Sequence, residues 1–136
     1  MNLLSRAAAT AVLALVVTGP ALSADAAGNH FKTLSTTAGG KIQACKVATT
    51  DAGPWKVKLR VDASQATTRV NGTAWVTKKG DNTGQKWKSG WVTKGHVSGI
   101  GTVKLPRGKA FTLNAGIGAD NMGNGGSFAA ADLRGC

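Results

Sequence analysis

The chain has 136 residues, with 17 lysines and arginines against 6 acidic residues, a net charge of +11 and two cysteines. That length holds one modest core and no second large domain. Such a charge points to acidic partners such as wall polymers, nucleic acid, anionic lipid or an acidic protein, and also serves plain solubility.

Arg6 followed by the apolar run Ala7 to Val17, a break at Thr18-Gly19-Pro20 and the small-residue site Ala24-Asp25-Ala26 reads as a secretory signal peptide over residues 1–26. The apolar run is too short for a permanent membrane anchor, so the expected product is a secreted, extracellular chain of about 110 residues. Outside the cell an isolated cysteine pair reads as a disulfide. Cys45 to Cys136 would close a loop of about 90 residues, which the chain-entropy view equates with roughly 4 kcal/mol.

Residues 27–40 are small, polar and aperiodic. They read as a flexible N-terminal arm whose apolar side chains are Phe31 and Leu34. From residue 41 to 136 the pattern is strands and turns. The clearest strand is Trp55 to Asp62, where Trp55, Val57, Leu59 and Val61 alternate with Lys56, Lys58, Arg60 and Asp62. Period-two alternation of this kind gives a sheet with one wet face. Further strands are expected near 41–48, 67–78, 85–94, 97–105, 109–117 and 127–133. Turns fall at Asp51-Ala52-Gly53-Pro54, Gly80-Asp81-Asn82 and Pro106-Arg107-Gly108, with a loop over 120–126. The expectation is an all-β, small antiparallel β-sandwich of about seven strands, closed by one disulfide. Trp75-Val76-Thr77-Lys78 recurs as Trp91-Val92-Thr93-Lys94, which suits two similar strands of one sheet better than a repeat array.

Catalytic chemistry finds little material. There is no glutamate, His30 lies in the expected arm, and His96 follows Gly95 at a strand start. The aspartates Asp51, Asp62, Asp81, Asp120 and Asp132 are scattered, with no spacing that suggests a carboxylate pair. Asp120 to Gly125 matches a calcium loop at few positions, since Met122 stands where a ligand belongs. No cofactor, no metal and no enzymatic activity are therefore expected.

Binding features are more evident. Trp75 shares its parity with Arg69, Asn71, Thr73 and Thr77, which places it on an outer face. Trp87 and Trp91 share another strand face, with Lys86, Lys88 and Lys94 opposite. Tryptophans grouped this way can stack on sugars or bases, anchor a protein interface, or simply fill the core. If Lys56, Lys58 and Arg60 lie in one sheet with Lys86, Lys88 and Lys94, they form a basic plate for polyanions; strand lysines also serve to guard sheet edges.

The alanine-rich export signal, the single cysteine pair and the Thr/Gly/Lys-rich strands resemble small secreted proteins of actinobacteria. Within that group the chain is loosely similar to the adaptor subunit of umbrella-shaped antibacterial toxin particles. That resemblance implies a non-catalytic β-domain bridging two other subunits, and it transfers no specific residues.

The leading expectation is thus a secreted adaptor that binds another secreted protein through Phe31, Lys32 and Leu34 of the arm and through Trp75, Trp87 or Trp91. One alternative is a cationic module for wall polymer or carbohydrate, with no specific nucleic acid and no membrane anchor. The other is an extracellular protease inhibitor using the loop at 120–126.

Overall fold

A computed structural model describes residues 30–136; the expected signal peptide lies outside the described residues. Eight strands run in chain order: β1 (Lys32–Thr37), β2 (Gly40–Ala48), β3 (Trp55–Asp62), β4 (Val70–Lys78), β5 (Asp81–Val92), β6 (Gly101–Leu105), β7 (Phe111–Ala119) and β8 (Met122–Phe128). They form two antiparallel four-stranded sheets with strand orders β1-β2-β3-β6 and β5-β4-β7-β8. The result is sandwich-like, with eight strands and not seven.

Alternation determines what meets between the sheets. Ile42 and Ala44 of β2, Val57, Leu59 and Val61 of β3, and Val103 and Leu105 of β6 face inward from the first sheet. Val70, Ala74 and Val76 of β4 and Leu113, Ala115 and Ile117 of β7 meet them from the second. Trp55 packs against this core at its edge, with the Lys46 ammonium 4.7 Å and the Arg107 guanidinium 4.1 Å from its ring centre.

The sheet edges are tied to each other by side chains. Asn124 Nδ2 of β8 donates to the Thr36 carbonyl of β1 at 3.3 Å. Gln85 Oε1 of β5 accepts from the Lys104 amide of β6 at 3.2 Å. Edges occupied in this way are poor templates for pairing with another chain.

The extra strand is β1, in the segment expected to be a flexible arm. It pairs with β2 from Lys32 opposite Ala44 to Thr37 opposite Gly40, with a register shift between Thr33 and Ser35. An extra residue at such a bulge reverses the inward–outward order partway along a strand. The inward side chains, Ser35 and Thr37, are polar but buried, so no hydrophobic alternation marks the strand. The segment at 120–126 is also mostly strand: β7 turns into β8 at Asp120, whose φ of 43° is left-handed.

After β8 a single 3-10 turn, Ala130–Asp132, leads to the buried Leu133. Lys32 Nζ donates to the Asp132 carbonyl at 2.7 Å, and Lys46 Nζ donates to the Ala130 carbonyl. The last residues then run parallel to β2. The Lys46 amide donates to the Arg134 carbonyl at 2.8 Å, and the Cys136 amide donates to the Lys46 carbonyl at 3.0 Å. The Cys45–Cys136 disulfide closes this latch across 5.0 Å between Cα atoms.

Candidate functional site

The outer face of the β5-β4-β7-β8 sheet combines large aromatics with bare backbone. Asn71, Thr73, Trp75 and Thr77 point outward from β4, because Val70, Gly72, Ala74 and Val76 turn inward. Opposite them on β7 stand Gly118, Gly116, Asn114 and Thr112. On β8, Gly123 and Gly125 lie across from Gly118 and Gly116. Four glycines thus leave the middle of the face without side chains.

Two shallow depressions result. One, of 420 Å³, is walled by Trp75, Asn114 and Ser127 over Gly116, Gly123 and Gly125. The other, of 290 Å³, lies among Asn71, Thr73, Lys88, Gly90 and Trp91. They adjoin where Thr73 pairs with Gly116. Trp75 is 38% and Trp91 50% exposed, which is unusual for side chains this large.

The polar groups of the face are fixed. Asn114 Nδ2 donates to Thr77 Oγ1 at 3.1 Å, and the Ser127 hydroxyl donates to Asn114 Oδ1 at 2.6 Å. The Arg69 guanidinium lies 4.5 Å from the centre of the Trp91 ring. Asp120 lies 3.7 Å from the same arginine and is its ion-pair partner. Lys86 is the cross-strand neighbour of Trp75, and Lys88 that of Thr73. With those cations and one paired carboxylate, the face carries a positive potential that favours acidic groups.

The placement of Trp91 corrects the expected parity of β5. Trp91 pairs with Asn71, but Lys88 pairs with Thr73, so β5 carries one residue more than β4 over that interval. Gly90 takes the left-handed φ of 70° at this irregularity. The bulge turns Trp91 outward with Lys86 and Lys88, while Trp87 points inward beside Ala74 and packs against the core. Trp87 and Trp91 therefore do not share a face.

The other sequence candidates are placed elsewhere. Phe31 lies under the Arg60 guanidinium at 4.3 Å, Lys32 is bonded to the Asp132 carbonyl, and Leu34 packs half-buried against the core. These three residues are parts of the fold and not of a free arm. Lys56, Lys58 and Arg60 point out of the opposite sheet, so they do not form one plate with Lys86 and Lys88. Lys94 is exposed in the turn after β5. The protease-inhibitor alternative loses its loop, since 122–128 is strand β8. His96 is exposed in a turn, and no cluster of three or more metal-ligating side chains occurs among the described residues.

Arg69, Asn114, Ser127 and the glycine floor are not singled out by the sequence alone. A signal exists for the floor: Gly116/Gly118 and Gly123/Gly125 each repeat with the period of two that marks one face of a strand. Comparison with protein-family models, characterised proteins and solved structures returned no match.

Proposed function

We propose that this protein is a secreted, non-catalytic adaptor that captures an acidic surface of another extracellular protein through its Trp75/Trp91 face. One observation carries the reading: two exposed tryptophans stand on one glycine-floored sheet face together with Arg69, Lys86 and Lys88. Tryptophan and arginine are the residue types that most often anchor protein interfaces. The disulfide suits an oxidising, extracellular setting.

The size of the face sets a condition. Four strands of 7 to 12 residues, about 4.8 Å apart, make a patch on the order of 500 Å². A standard interface buries about 800 Å² per partner, so a stable complex must also engage the rim, where Arg69 and the β4–β5 hairpin lie. The adaptor role implied by the toxin-particle resemblance is compatible with a face of this kind.

A carbohydrate-binding reading stands second. It is favoured by the two adjoining depressions, each walled by one tryptophan and floored by glycine, because sugar rings stack on such platforms.

The test is capture from the producer's culture supernatant with tagged mature protein and a high-salt wash, comparing wild type with Trp75→Ala and Trp91→Ala. A stoichiometric protein retained by wild type and lost from both variants is the expected result. Equal retention by the variants would refute the face. Binding to protein-free wall polysaccharide, lost in the same variants, would select the carbohydrate reading instead.

A further inference from the structure

The opposite face of the molecule has a different chemistry. Lys41 of β2, Lys56, Lys58 and Arg60 of β3, and Lys104 of β6 all point outward from the first sheet, because Ile42, Val57, Leu59, Val61, Val103 and Leu105 point in. Asp62 is the single acidic residue in the four strands of that sheet. It sits directly opposite Lys41. Arg60 is held by its Nε donating to Gln43 Oε1 at 2.8 Å and by the Phe31 ring. Lys56, Lys58 and Lys104 have no carboxylate within ion-pair distance among the described residues.

Lys56 and Lys104 are moreover direct cross-strand partners. Like charges in that position destabilise a sheet. Guarding an edge does not explain Lys56, which lies on the inner strand β3. A bound anion relieves the repulsion. We infer that this face binds a linear, flexible phosphodiester polymer of the cell-wall type, with Lys56, Lys58 and Lys104 as its main contacts.

The geometry supports a chain and not a single ion. Lys56, Lys58 and Arg60 repeat about every 6.7 Å along β3, a row that successive phosphates of an extended polymer can follow. Beside Lys58, a cleft of 140 Å³ lined by His30, Phe31, Ile100 and the disulfide adjoins this row. Single-stranded nucleic acid fits less well. Its binders supply aromatic platforms for the bases, whereas here Phe31 is covered by Arg60 and both exposed tryptophans are on the other sheet. This site does not depend on the Trp75/Trp91 reading, and occupying it leaves that face free.

The experiment titrates the full mature protein against fluorescently labelled poly(glycerol phosphate) over a range of salt, with an oligothymidylate as competitor class. In the Lys56→Gln/Lys58→Gln/Lys104→Gln variant, affinity is expected to fall at least about tenfold, and the log–log salt slope to flatten by roughly 0.7 for each lysine neutralised. The same variant, free of polymer, is expected to melt no lower than wild type, because its mutual repulsion is gone. A Lys86→Gln/Lys88→Gln variant is expected to bind as wild type does. No binding by wild type, equal weakening by the Lys86/Lys88 variant, or oligothymidylate bound as tightly as the polymer would each overturn the inference.

Discussion

Trp87 is inside because the chain across from it is narrow. A Cβ added to Gly101 would overlap the Trp87 indole at Nε1 and Cδ1. The Gly101→Ala variant must therefore push the ring out of its slot or move β6. A loss of about 1–3 kcal/mol is expected, as for other overpacked cores. Urea midpoints check it, and a changed near-ultraviolet signal should accompany the loss; an unchanged midpoint would mean the ring has room to spare. Asp62 makes a second residue-level prediction. Burial alone would raise its carboxyl, but hydrogen bonds from Ser64 and the charges of Lys41 and Arg60 outweigh that and hold it below the usual carboxylate range. A pKa lowered on folding adds stability that is complete above the unfolded value of about 3.9 and is lost as pH falls through the folded value. Asp62→Asn should therefore flatten the acid side of a melting-temperature profile and leave its shape near neutrality unchanged. A profile with the same acid slope as wild type would show that Asp62 is not involved.

Among the elements, legibility follows regularity. β3 has eight residues in strict alternation and no bulge, so its limits and its wet face are readable from the sequence. β1 and β5 are not, because bulges reverse the parity partway along each and because β1 turns serine and threonine inward. The candidate face is half legible for the same reason. Trp75 lies on β4 where the parity over Asn71, Thr73 and Thr77 holds, whereas Trp91 follows the Gly90 irregularity and cannot be placed by counting. β1 also supports an experiment that separates a strand from an arm. A truncation beginning at Ala38 removes the whole strand and uncovers the β2 edge. A strand predicts a lower melting temperature and a tendency to self-associate through that edge, measured by circular dichroism and size-exclusion chromatography. A soluble monomer as stable as wild type would mean that β1 contributes nothing to the fold.

At the scale of the molecule, the two sheets share one core and present outer faces of different character, one aromatic over glycine and one cationic. The disulfide ties the tail that follows β8 of one sheet to β2 of the other. It joins residues 91 apart in sequence, so in the unfolded chain it closes a loop that contains β3 to β8. For a loop of that size the chain-entropy model approaches its upper range, about 4–5 kcal/mol. The core itself does not include the tail beyond Leu133, so the Cys45→Ser/Cys136→Ser variant should still fold, at a cost of about 2–5 kcal/mol. Two contributions to that loss can be separated. If the bond acts by restricting the unfolded chain, amide exchange in the folded variant stays slow at Lys46, whose amide and carbonyl hold Arg134 and Cys136. If it acts as a local latch, the tail peels from β2 and the Lys46 amide exchanges quickly while the core amides remain protected. The backbone bonds to Lys46 and the burial of Leu133 favour slow exchange, with the tail staying in place when the sulfurs are gone.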